Sequence, residues 1–370
     1  MNNSRPGTVL ACFIVIISLG VSSLLCASES KPWQLSEDER YSLQAMKSFL
    51  NKTDELRDFI WPGYVLSEST LVMQSNDHDF VINLAPPSGA PNDIDYHSLL
   101  KVDRSFKQEE MCLMVRSEKF YDMPAGCIYP IMSGGKLIMF CAYLPTRNRA
   151  NDCYKTLGLD LVLDYDLYMV SWLHEAFHVF QMQNWQPFLS IAVNQKAYVD
   201  GLKDERIYPL MKEEGRSLFQ AMTARSEAAT ILHLRKFFQV RAARRDYLSE
   251  DTVRMEKVFE LVEGTAQYVE RKAAIFLMID PPAGDGLPDY HRFTNGINIY
   301  REKLQKVVDL DYAGHATNAN WCYNWGMAQA IILDKLFPEW KHEMNKQVFF
   351  LEDKLRKICN ILPDLKKSID

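Results

Sequence analysis

Two histidines bracket a glutamate in Trp172-Leu173-His174-Glu175-Ala176-Phe177-His178-Val179. On a helix, residues four apart lie one above the other on the same face. His174 and His178 can therefore aim ring nitrogens at one cation about 2.0–2.1 Å away, and zinc suits such a donor set. Glu175 projects roughly 100° further round the helix, beside the ion instead of on it. From there its carboxylate can take a proton from a metal-held water. Zinc lowers the pKa of such a water to about 7 and polarises a carbonyl oxygen. The chemistry these residues suggest is metal-assisted hydrolysis. The competing reading is a pair of core histidines with an incidental glutamate.

Two imidazoles do not complete a catalytic zinc site, which usually has three protein ligands and one open position. No close HxxGxxH continuation supplies a third histidine. A distant run does offer a carboxylate: Glu260-Leu261-Val262-Glu263-Gly264-Thr265-Ala266-Gln267-Tyr268-Val269-Glu270. With the HExxH run, it resembles the gluzincins, the zinc peptidases that include thermolysin and aminopeptidase N. Their third ligand is a glutamate on a second helix, set in Asn-Glu-Gly-x-Ala-x-Tyr in the aminopeptidase-like members. Here Val262 stands in the place of that asparagine, and 84 residues separate His178 from Glu263. The resemblance implies that Glu263 is the third ligand and that Gly264 lets the second helix approach the first closely. It also implies a zincin-like fold and a peptide or protein substrate. Glu260 is the fallback ligand, with Glu227 and His233 more remote. The competing role for Glu263 is a solvated helix residue in a charged row with Glu260 and Glu270.

Hydrolysis also needs a donor for the developing oxyanion. Aminopeptidase-like gluzincins use a tyrosine well after the third ligand, which implies Tyr323 in Trp321-Cys322-Tyr323-Asn324-Trp325-Gly326. Aromatic packing is its competing role, and His291 and His315 are alternatives. Gln267 or Glu270 can hold the histidine tautomers from behind. The GxMEN-type aminopeptidase signature is not in the sequence.

The elements that would position these groups fall into two stretches. Ser36 to Leu50 reads as a helix. Gly63–Gln74, Asp79–Leu84, Met111–Arg116 and Lys136–Leu144 then read as short strands between turn-forming clusters. The last of them could accept a substrate as an added strand. From Asp164 the pattern becomes helical: Tyr165–Gln183, Arg216–Tyr247, Asp251–Leu277 and Asn324–Leu336. Strands followed by helices predict an α+β fold, with a small antiparallel sheet lobe over residues 28–160 and a mainly helical lobe over 161–370.

At 370 residues and 47% hydrophobic content the chain can bury a substantial core. A net charge of -6 gives no basic footprint for nucleic acid. Arg5, the apolar run Val9–Leu19 and small residues up to Ala27 describe a secretory signal peptide. Val9–Ala27 is also uncharged and nearly long enough for a retained membrane tether. Lipidation at Cys26 is a weaker choice because Leu25 is bulky. Each reading puts the body outside the cytosol: secreted, periplasmic or anchored. Beyond the leader, Cys112, Cys127, Cys141, Cys153, Cys322 and Cys359 could pair as disulfides or stay reduced. Asn51-Lys52-Thr53 is a glycosylation sequon. A zinc metallopeptidase is the expected function. A non-catalytic zincin-fold protein that binds metal or a partner is the alternative, and a membrane-anchored structural protein is the third reading. Oligomeric state is not encoded in any motif.

Overall fold

The computed structural model describes residues 54–55, 57–65, 165–185, 204–279 and 320–361, with the backbone of six strand segments between 71 and 142. Side chains are described for 54–55, 57–65, 173–185, 204–276 and 321–360. The predicted leader, the helix over 36–50, His291 and His315 lie outside the described residues. No described helix is long and apolar enough to cross a membrane.

The expected α+β architecture with an antiparallel sheet lobe is corrected. The residues described with their side chains are 83% helical and include no strand or sheet. The described part of the protein is mainly helical. Six short backbone segments do run extended: β1 (Leu71–Gln74), β2 (Asp79–Ile82), β3 (Arg104–Gln108), β4 (Met111–Arg116), β5 (Tyr129–Ser133) and β6 (Lys136–Ala142). Their hydrogen-bonded order is β3-β4-β2-β1-β6-β5. This too departs from the expectation, since β1 pairs with β6 in parallel, Val72 opposite Phe140. Alternation of apolar and polar residues marks extended segments, but it does not encode which distant segment becomes the partner or in which direction.

A short turn, α1 (Arg57–Ile60), precedes the strands, and α2 (Tyr165–Asn184) carries the HExxH run. Four longer helices follow: α3 (Ile207–Thr223), α4 (Glu227–Arg245), α5 (Glu250–Ile279) and α6 (Asn320–Leu336). They are completed by α7 (Trp340–Lys346) and α8 (Leu351–Ile361). The expected single helix over 216–247 is in fact α3 and α4, broken at Ala224–Ser226. Ser226 has extended backbone and its hydroxyl accepts from the Ala229 amide at 3.2 Å, an N-cap that starts a new helix. Ser249 caps α5 in the same way, accepting from the Thr252 amide at 3.1 Å.

The chain divides into two compact units. Among the described residues, one holds those up to 180 and 273–279, the other 181–185, 204–272 and 320–361. In the second, α5 and α6 cross backbone to backbone. A Cβ on Gly264 would stand 2.3 Å from the Gly326 Cα, and one on Gly326 would stand 2.0 Å from the Glu260 carbonyl oxygen. Gly264 is therefore the place where α5 meets α6. The resemblance implied an approach to the histidine helix; the atoms nearest to Gly264 here are those of Gly326.

Beside this crossing the second unit buries a charge network. Arg241 donates to Glu214 at 2.5 Å, to both oxygens of Glu260 at 2.5 and 2.9 Å, and to Glu352 at 3.1 Å. Arg244 joins Glu214 at 2.6 Å to Glu256 at 2.8 Å, and Arg245 joins Glu256 at 2.6 Å to Glu352 at 2.7 Å. Arg241, Arg244, Glu214 and Glu256 are all fully buried. Such charges persist in a core only when each is paired and hydrogen-bonded. Burial alone would raise the Glu256 carboxyl, but Arg244, Arg245 and Arg241 together hold it down to about 2. Glu260 goes the other way, because burial and the neighbouring Glu256 charge outweigh Arg241.

Candidate metal centre

In α2 the histidine face is set by what the neighbouring flank touches. Trp61 packs on Phe177 with ring centroids 4.9 Å apart, and Tyr64 meets the same ring edge-on at 5.2 Å. The Tyr64 hydroxyl donates to the Leu173 carbonyl at 3.1 Å. Residues 173, 177 and 180 form one stripe of the helix, and aromatic side chains cover it from the α1 side. His174 and His178 lie on the adjoining stripe, their rings 4.8 Å apart and nearly perpendicular.

Ligand atoms of His174, Glu175 and His178 all lie within 4.8 Å of one another, a group that could hold a metal ion. Tetrahedral zinc with ligands at 2.0–2.1 Å sets neighbouring donors about 3.3 Å apart. The residue types suit such an ion: two imidazoles, nearly closed off from solvent at 8% and 5% exposure, with one half-buried carboxylate beside them. A half-buried glutamate keeps access to water, which suits a proton acceptor beside the ion better than a sealed ligand would. HExxH therefore folds as its spacing predicts, on one continuous helix.

Glu263 belongs to the other unit and sits on α5, 7% exposed. It is not the solvated row member that was its competing reading. On the same stripe one turn later, Gln267 donates to the Asn324 side chain of α6 at 3.0 Å. Asn324 is the neighbour of Tyr323, which is half-buried. Within this unit the structure thus ties the Glu263 face of α5 to the start of α6, where the candidate oxyanion donor lies. Glu270 is buried at 3% exposure further along the same helix.

The fallback ligand is removed. Glu260 is chelated by Arg241, and its Oε2 also accepts from Gln329 at 2.7 Å, so its oxygens are committed to the charge network. Glu227 is exposed at the start of α4 and His233 is half-exposed on the same helix; neither belongs to the converging group. Tyr268, the closing residue of the gluzincin-like run, is fully buried, and its hydroxyl donates to Asp334 at 2.7 Å while Lys341 donates to it at 3.2 Å. Burial and the Asp334 charge raise its pKa far above the ordinary phenol. It acts as a strut between α5 and the α6–α7 corner. Cys322 and Cys359 are both buried, and Cys359 carries a free thiol.

Sequence reasoning overlooked Gln181, one turn beyond His178. It is fully buried, and its Nε2 donates to the Val262 carbonyl and the Thr265 hydroxyl, both at 2.8 Å. The available signal was its position: residues 174, 178 and 181 follow the i, i+4, i+7 spacing of one helix stripe.

Comparison with protein-family models, with curated proteins and with solved structures finds no match to this chain.

Proposed function

We propose that this protein is a zinc-dependent hydrolase that cleaves peptide bonds in a peptide or protein substrate outside the cytosol. The observation that carries the reading is the convergence of His174, Glu175 and His178 within 4.8 Å on one helix. His174 and His178 would hold the ion through ring nitrogens, with Glu263 as the third ligand that the gluzincin resemblance implies. Zinc, when bound, polarises the scissile carbonyl and acidifies the attacking water. Glu175 would accept a proton from the attacking water and return it to the amine nitrogen as the C–N bond breaks. Tyr323 offers a phenolic O–H to the carbonyl oxygen as it gains charge. The burial of Glu263 suits a ligand better than a solvated helix position.

The alternative is a non-catalytic protein that uses the same histidines to hold metal or a partner. Glu175→Gln separates the two, because the change removes the proton acceptor and leaves both imidazoles. Cleavage of a casein or mixed-peptide substrate should fall at least about 100-fold, the scale of a lost general base, with zinc content unchanged. A wild-type protein that holds zinc yet cleaves nothing, with the same behaviour in the variant, would favour the alternative.

A further inference from the structure

We propose that a cleft at the start of α5 binds a single α-amino acid with an apolar side chain. The cleft encloses about 410 Å³, a size usual for a small-ligand site, and all of its lining residues belong to the second compact unit. Four of them, Glu250, Val253, Arg254 and Lys257, follow the i, i+3, i+4, i+7 spacing of one stripe of α5. Leu248, in the turn before α5, and Phe350, just ahead of α8, join Val253 as its apolar surface. Arg245 also lines the cleft, but its charge is already matched by Glu256 at 2.6 Å and Glu352 at 2.7 Å. Lys257 is matched in the same way by Asp353 at 2.7 Å. Two opposite charges are left over. Glu250 and Arg254 are both exposed, and neither makes an ion pair among the described residues. They stand four apart, the spacing at which a glutamate and a following basic residue ordinarily join on a helix. A simple anion in the cleft would meet Glu250, and a simple cation would meet Arg254. An α-amino acid carries both signs on one carbon, so it can answer the two side chains together. Its ammonium meets Glu250, and its carboxylate meets Arg254, whose planar fork suits that group. The apolar side chain is then left for Leu248, Val253 and Phe350.

The test is titration calorimetry of the full-length protein with L-phenylalanine, run with and without EDTA. Three analogues each lack one part of that ligand: hydrocinnamate the ammonium, phenethylamine the carboxylate and glycine the side chain. L-phenylalanine should bind saturably whether or not EDTA is present. Hydrocinnamate and phenethylamine should each bind at least about tenfold more weakly, the scale of one hydrogen bond to a charged group. Glycine should show no saturation. Glu250→Gln and Arg254→Gln should each weaken L-phenylalanine by a similar factor. Both side chains are exposed, so the fold tolerates these changes, as circular dichroism would verify. The proposal is overturned if L-phenylalanine does not saturate, or if both variants bind it as the wild type does. It is equally overturned if EDTA abolishes binding, which would assign the ligand to a metal ion instead of the cleft. Hydrocinnamate or phenethylamine binding as tightly as L-phenylalanine would also sink it, because the cleft would then take a simple ion. The metal centre stands or falls separately, since no residue of the cleft belongs to it.

Discussion

Gly326→Ala should destabilise the protein even though alanine is the better helix former. The new Cβ would stand 2.0 Å from the Glu260 carbonyl oxygen, 2.7 Å from the Gly264 Cα and 2.8 Å from the Glu260 carbonyl carbon. All three are backbone atoms, so no rotamer change relieves the clash. Ordinary contact begins at 3.4 Å, and α5 and α6 must part by roughly 1.4 Å to reach it. Overpacking of this kind costs about 1–3 kcal/mol, with backbone against backbone at the upper end. The gain in helix propensity returns about 1 kcal/mol. The net loss is roughly 2 kcal/mol, equivalent to a fall in Tm of about 4–8 °C for a cooperative unit of this size. Scanning calorimetry reads this directly. Gly264→Ala, with its Cβ 2.3 Å from the Gly326 Cα, should behave alike. A Tm that stays level or rises in either variant would refute the close crossing.

Three further outcomes follow from the same core. Arg241→Leu leaves Glu214, Glu260 and Glu352 short of a shared partner in a dry interior, and chemical denaturation should show a loss of about 3–5 kcal/mol. Acid should weaken the fold through Glu256: its carboxyl is held to about 2 when folded, against an ordinary 4.5, so its contribution is full above about pH 4.5 and vanishes as pH falls toward 2. Glu260, raised in the fold, contributes with the opposite sign and blunts this limb, so Glu256→Gln should lower Tm at neutral pH and flatten its dependence below pH 4.5. A Tm of that variant as steep in acid as the wild type would contradict the assignment. Ser226→Ala removes the oxygen that caps α4 and should cost about 1 kcal/mol by urea denaturation, whereas Ser226→Gly should cost only a few tenths.

What could be read from the residues was local. The helix over 165–184 was legible to within a residue because its apolar positions recur at the helical period and Asp164 and Pro187 flank it. The break at Ser226 was missed because no glycine or proline marks it; Ser226-Glu227 is a cap signature that the surrounding helix-forming residues overwhelm. Long-range facts were not legible. Nothing local marks Arg241, Arg244 and Arg245 as core residues; only the packing of α3, α5 and α8 around them makes them so. Gly264 was singled out for an approach to the histidine helix, and its contact with Gly326, 62 residues on, lies beyond the reach of any local pattern. The strand segments β2, β4 and β6 begin where their alternation suggests, yet the parallel β1–β6 pairing and the dominance of helix among the described side chains overturn the fold class. Within the candidate site, HExxH was legible because its geometry is contained in one helix, while Gln181 became visible only through its contacts with α5.

Zinc stoichiometry tests the account most directly: elemental analysis of the full-length protein after dialysis against trace zinc, alongside the His174→Ala/His178→Ala double variant. The account predicts one zinc per wild-type chain and none in the folded double variant. A wild-type chain that retains no zinc, or a double variant that retains it undiminished, would contradict the account at its centre.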